Sequence, residues 1–294
     1  MAKPFYYGGQ AVIEGVMMRG KNNLAISVRR PDGKLEIIKK PLANIYKGRL
    51  RETPLIRGVI ALIETLVLGI QALLHSAQIA SSEEGEKIST AALWGIVAGS
   101  VAFAVALFFI APLLITHYFD IYITSDLISN VIEGFVRIGI FILYLKLIGL
   151  LPDIKRVFAY HGAEHKVVNA YESGCPLDLE AIKSYSTAHA RCGTSFIFAV
   201  LIIAILIFAL LGRPSLWLRI LSRIILLPVI AALGYELTRF AARHTKNVLF
   251  RILLSPGLML QSMTTSEPDD SQLEAAISAL NEVIDSDNLE GKED

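Results

Sequence analysis

Two histidines and a glutamate within five residues, His161-Gly162-Ala163-Glu164-His165, are the residues of this chain best equipped for chemistry. On a helix, side chains four apart project from one face about one turn from each other, a spacing at which two imidazoles can hold one divalent cation. Glu164 lies between them, within reach of a water at such a cation without being a ligand. H-x-x-E-H is the inverted zinc-hydrolase pattern, in which the Glu is the general base. The plainer alternative is a pair of helical histidines that hydrogen-bond a neighbouring loop.

Zinc takes three protein ligands and an open position for catalysis, or four for a structural role. His189 and Cys192, in the stretch 188–193, are the next candidates, and together with the first two they would make a closed His₃Cys set. Glu236, in Gly234-Tyr235-Glu236, is another, because a downstream Glu completes the inverted zinc-hydrolase set. Glu172 and Cys175 rank lower, since Gly174 and Pro176 turn the chain there. Each has a bland role too. His189 can cap a helix or bond a lipid phosphate, Cys192 can pack as a small apolar residue, and Glu236 can pair with Arg239 or Arg243. His75, His117 and His244 read as interface or surface residues.

These residues must be positioned by a membrane protein. The chain has 294 residues, 53% of them hydrophobic, and a mean hydropathy of +0.52, outside the range of ordinary soluble domains. Four runs can cross a bilayer core of about 30 Å: Ala91–Ile115, Leu127–Leu150, Ser195–Gly212 and Leu216–Arg239. A fifth, Leu55–Ile79, carries Glu64, Gln71, His75 and Gln78 at helical intervals, so an amphipathic or re-entrant helix is expected. Residues 5–40 read as short strands, with a hairpin around Pro31-Asp32-Gly33. Gln10, Glu14 and Arg19 decorate that region, where surface pairing explains them as well as catalysis does. The expected fold is a mainly α polytopic membrane protein of about four spans, with a small N-terminal β-hairpin region.

The organisation follows as 1–54, a cytoplasmic β-rich region; 55–90, the amphipathic helix and a linker; 91–150, a first transmembrane pair; 151–194, a cytoplasmic loop with the candidate site; 195–240, a second pair; and 241–294, a cytoplasmic C-terminal segment. Lys/Arg placement supports both termini inside. Residues 1–57 hold 12 Lys/Arg against 4 Asp/Glu, and Lys155, Arg156, Lys166, Lys183, Arg191, Arg243, Lys246 and Arg251 fall on the same side. The opposite loop, 116–126, has Asp120 and Asp126 and no Lys or Arg. Arg213, Arg219 and Arg223 fit this poorly and point to tilted or re-entrant final segments. Glu133 and Arg137, four apart inside the second span, are expected to pair between helices; an ion pathway is the sharper alternative.

Residues 262–294 carry 10 Asp/Glu against one Lys. Within them, Gln272–Ile284 forms an amphipathic stripe that Ser271 or Asp270 can cap. It is expected to dock on the cytoplasmic body, with a protein partner as second choice and disorder in the last ten residues. No cleavable signal peptide is expected, because the first 50 residues lack a continuous apolar core. Cys175 and Cys192 face the reducing side, so a bridge is not expected. Neither a phosphate-cradling loop nor a G-x-S-x-G turn is present. The basic N-terminus lacks regularly spaced stacking aromatics, so its partners are the lipid bilayer and anionic headgroups rather than nucleic acid.

Several blocks together look like one family. Gly8–Arg19, Tyr160–Lys166, Arg191–Phe196, Pro256–Leu258, Thr264–Pro268 and the Gln272–Leu280 helix resemble the YqhQ-like family of uncharacterised bacterial membrane proteins, which has carried the label of predicted metal-dependent enzymes. The resemblance implies a multi-pass protein of the bacterial inner (plasma) membrane and points to His161, Glu164, His165, His189 and Cys192. It implies no reaction or substrate. Two functional classes stand: a zinc-dependent hydrolase at the membrane interface, and a non-catalytic scaffold or assembly factor with a structural polar or metal cluster. A transporter, resting on Glu133 and Arg137, is third.

Overall fold

The computed structural model describes residues 5–48, 51, 53–81, 89–189, 191–244 and 247–290. Lys246 of the basic set and residues 291–294 of the expected disordered tail lie outside them.

The expected hairpin is half of a four-stranded antiparallel meander, β1 (Gly8–Val12), β2 (Gly15–Arg19), β3 (Asn23–Arg29) and β4 (Leu35–Pro41), paired in chain order. Side chains of a strand alternate between faces, and both faces here are covered. Val16, Met18 and Ala25 face a core built by α5 (Pro152–Glu172) and α11 (Asp270–Glu290). Met17, Leu24, Ile26 and Val28 face α1 (Ile56–Ser81) through Ile60, Leu68, Ala72 and Ile79. The two-residue turn Ile13-Glu14 puts Glu14 at a φ of 52°. Its carboxylate is held by Arg156 at 2.7 and 2.5 Å, docking the β1–β2 hairpin on the start of α5. Arg19 bonds Glu64 on α1.

α1 is long and apolar enough to cross a membrane, yet it lies on the sheet from Ile60 to Ile79. Gly58 in its first turn meets Ala232 of α9 (Leu227–Arg243) so closely that a Cβ would fall 2.7 Å from the Ala232 Cα. Its opposite stripe, Ile56, Ile63, Leu66, Val67 and Leu73, is exposed. One face of α1 is thus committed to the apolar side of the sheet, and the other is bare apolar side chains.

The apolar bundle comprises α2 (Thr90–Val105), a π-helical turn at Ala106–Ile110, α3 (Ala111–Phe119), α4 (Asp126–Ile148) and α7 (Gly193–Leu210), followed by α8 (Leu216–Ile225) and α9. α4 ends at Gly149–Leu151, where the axis turns by 102° into the polar α5. The run expected over Leu216–Arg239 is broken: α8 and α9 are bent by 46° at Leu226. α8 explains the awkward arginines. Arg219 and Arg223 point into the bundle while Leu216, Trp217, Leu218, Ile224 and Ile225 are exposed, the reverse of a water-soluble amphipathic helix. Glu133 and Arg137 do pair, at 2.6 Å, but Arg219 and Arg223 join the same carboxylate, so the expected two-residue pair is a larger network.

α11 is longer than expected and runs to Glu290, so helix replaces the disorder expected at 285–290. Its cap is Asp269 rather than Ser271 or Asp270. The Asp269 carboxylate accepts the Gln272 N–H at 2.9 Å, and the Gln272 side chain accepts the Asp269 N–H at 2.9 Å, a reciprocal capping box. Leu273, Ala276, Ala279, Leu280 and Val283 are buried against the sheet and α5, so the apolar stripe is already covered.

Candidate metal centre

The five-residue motif lies in the middle of α5, and three segments distant in sequence converge on it. The chain before α7 brings Thr187, His189 and Cys192. Residues 264–266, after α10 (Val248–Gln261), lie along the opposite side. β1 crosses Glu164. Gly162 permits the closest of these approaches: a Cβ there would overlap the Ser266 carbonyl oxygen and fall 3.3 Å from the Thr187 Cγ2. The Ser266 N–H donates to the Phe158 carbonyl at 2.9 Å, fastening the segment to α5.

These two backbone segments orient the imidazoles. His161 Nδ1 lies 2.9 Å from the Thr264 carbonyl and His165 Nδ1 lies 2.6 Å from the Thr187 carbonyl. A carbonyl oxygen only accepts, so each Nδ1 carries its proton and donates it, which leaves Nε2 as the free position on both rings. His161 Nε2 is 3.3 Å from Cys192 Sγ, and His165 Nε2 is 3.4 Å from Glu164 Oε2. His161, His165 and Cys192 offer ligand atoms all within 4.8 Å of one another. Cys192 is the N-cap of α7 and accepts from the Thr194 N–H at 3.5 Å, so its thiol also faces the positive end of that helix.

The electrostatics are those of a thiolate between imidazoles. Burial alone pushes the Cys192 thiol up, but hydrogen bonds and charge from His161 and His165 outweigh it and bring the thiol down to about 5. Burial alone pushes both imidazoles down. Hydrogen bonding to Cys192, with the Cys192 and Glu164 charges, lifts His161 above its ordinary value and His165 to about 9. The cluster is thus a negative sulfur balanced by positive charge, a place that a proton or a cation can fill. Glu164, beside it and buried, accepts the Gly9 N–H at 2.9 Å.

His189 is outside this set. Its ring centroid is 5.7 Å from that of His165, and its Nε2 is 3.4 Å from Glu172, which also binds Arg191. Burial raises the Glu172 carboxyl, but His189 and Arg191 more than reverse this and hold it below its ordinary value. The His189 backbone is pinned by the buried Gln261, which accepts its N–H at 2.8 Å and donates to its carbonyl at 3.0 Å. Glu236 is elsewhere, chelated by Arg57 and the Leu55 N–H; the side chain of Arg243, one of the two expected partners, lies outside the described residues. Both cysteines are free. The residues that the pattern did not point to are Thr187 and Thr264, which act through backbone carbonyls, and Ser266 and Gly9, which act through backbone N–H groups.

A family model described as a protein of unknown function, DUF1385, matches residues 53–286. The uncharacterized protein YqhQ of Bacillus subtilis (strain 168) is 33% identical over 297 residues, covering 96% of this chain and 93% of that protein. No solved structure matches. The polar block around α5 and most of the bundle fall inside the matched region, and the chain belongs to the DUF1385 family, with YqhQ as a relative.

Proposed function

We propose that this chain is a bacterial inner-membrane protein, both termini cytoplasmic, whose α5–α7 junction holds zinc through His161, His165 and Cys192. In this reading Glu164 serves as general base in hydrolysis of a bond presented at the membrane surface. The single observation that carries the reading is the orientation of the two rings: each Nδ1–H is spent on a backbone carbonyl, and the Nε2 atoms are left beside one thiol. This arrangement, in which outer hydrogen bonds set tautomer and ring angle, is the common support of metal-binding histidines. Nitrogen and sulfur donors suit zinc better than magnesium or calcium. Zinc held by these residues would supply Lewis acidity that activates a water for attack. Glu164 would hold and pass the proton, with Gly9 N–H fixing one carboxylate oxygen and leaving the other towards His165. The exposed apolar stripe of α1 and the clustered Lys/Arg favour a substrate met at the inner membrane face.

A second reading rests on burial. His165 and Cys192 are 1% and 8% exposed, as in a closed structural centre that clips β1, α5, the start of α7 and residues 264–266 together. Glu164→Gln separates the two. The hydrolase reading expects metal content to be kept and turnover of micellar chromogenic esters or fluorogenic peptides to be lost. Wild-type zinc protein inactive on both classes, but unfolding when chelated, would establish the structural reading instead.

A further inference from the structure

At the far end of the bundle from α5, three guanidinium groups are buried around one carboxylate. Glu133 receives Arg137 at 2.6 Å, Arg223 at 2.7 Å and Arg219 at 3.2 Å. All four residues are buried. Arg219 also binds Asp120 at 3.0 Å, and Arg213 bridges Asp120 at 3.2 Å and Asp126 at 2.6 Å. Four arginines therefore share three carboxylates, which leaves one positive charge in excess.

That excess sits in an apolar surrounding. Phe208 lies under Arg223 at 4.4 Å and under Arg137 at 5.7 Å, and the outward face of α8 is bare hydrocarbon. Charges taken out of water cost several kcal/mol each unless balanced. One donor is also unspent: Arg219 Nε is buried and has no partner among the described residues. The backbone is specialised here as well. The π-helical turn at Ala106–Ile110 presents the Phe108 carbonyl to Arg137 Nε at 2.9 Å, and π-turns concentrate at functional sites. A structural ion network would gain nothing from a third guanidinium, whereas a site awaiting a negative charge requires one.

We infer that the arginine cluster around Glu133, where α8 meets α4, binds one oxyanion, a phosphate group, with Arg219 and Arg223 as its ligands and Glu133 holding them in place. Guanidinium forks match phosphate oxygens in geometry and charge. The phosphate can belong to a phospholipid headgroup, which α8 would meet beside Trp217, or to a free anion from the aqueous side; both present the same chemistry.

The test uses the full chain in detergent, with thermal unfolding as readout. Inorganic phosphate at low millimolar concentration is compared with chloride of equal ionic strength, and phosphatidylglycerol with phosphatidylcholine. Two variants accompany the wild type. Arg219→Gln removes the surplus cation, and Asn130→Asp supplies the missing anion from within, since the Asn130 Oδ1 is 3.5 Å from Arg223. The wild type should gain roughly 2–4 °C, and both variants should be unresponsive. A response to inorganic phosphate assigns a free anion; a response to phosphatidylglycerol alone assigns a headgroup. No response of the wild type to either anion overturns the inference, as does an equal response of Asn130→Asp, which would locate the effect elsewhere.

Discussion

Gly162→Ala is the smallest change that should disable the centre without touching a ligand. A methyl group there overlaps the Ser266 carbonyl and meets Thr187 Cγ2 at 3.3 Å. The two segments it pushes are the ones whose carbonyls orient His161 and His165. Overpacking of this kind costs about 1–3 kcal/mol of stability, and loss of the Ser266–Phe158 hydrogen bond adds about 0.5–1.5 kcal/mol. Disturbing the groups that orient metal-binding histidines typically costs about 10–100-fold in affinity. Zinc competition against a chromophoric chelator should therefore show affinity falling by about that factor, with a lowered unfolding midpoint. Gly193→Ala is the control, because its Cβ position meets nothing within 4 Å beyond its chain neighbours and its own helix backbone and alanine suits a helix better than glycine. Unchanged zinc affinity in Gly162→Ala, with the midpoint lowered as expected, would refute the role given to the carbonyls.

Two further outcomes are expected. In metal-free protein with Cys175→Ser, far-ultraviolet thiolate absorbance should titrate with a midpoint near 5, because His161 and His165 stabilise the Cys192 thiolate; a midpoint in the ordinary thiol range, about 8.5, would contradict the cluster's electrostatics. Asp269→Ala removes one half of the α11 capping box and should cost about 0.5–2 kcal/mol in chemical unfolding, whereas Ser271→Ala should cost clearly less.

The parts of the centre legible in the sequence were those that depend on local periodicity. His161 and His165 share a face because they are four apart on a helix, and their rings are in fact 4.4 Å apart. The different placements of His189 and Cys192 are a tertiary matter: His189 is pinned by Gln261, 72 positions distant, while Cys192 meets His161, 31 positions before it. The carbonyls of Thr187 and Thr264 carry no side-chain signal, since every residue has such an acceptor. Glu236 has Arg239 and Arg243 one turn or two away, yet Arg57, 179 positions distant, holds it. Asp269 and Gln272 have capping-box spacing, and Arg219 and Arg223 are four apart in an otherwise apolar helix, which marks an inward-facing charged stripe. Long apolar helices were plain from length and hydropathy, while the bend at Leu226 was not.

The most direct test of the account is elemental analysis of purified full-length protein, wild type beside four single variants. One zinc per chain is expected in the wild type, in His189→Ala and in Glu236→Gln, with the metal lost from His161→Ala and Cys192→Ser. Zinc retained in both of the latter, or a wild type that takes up none when zinc is supplied, would contradict the claim that these residues form a metal centre.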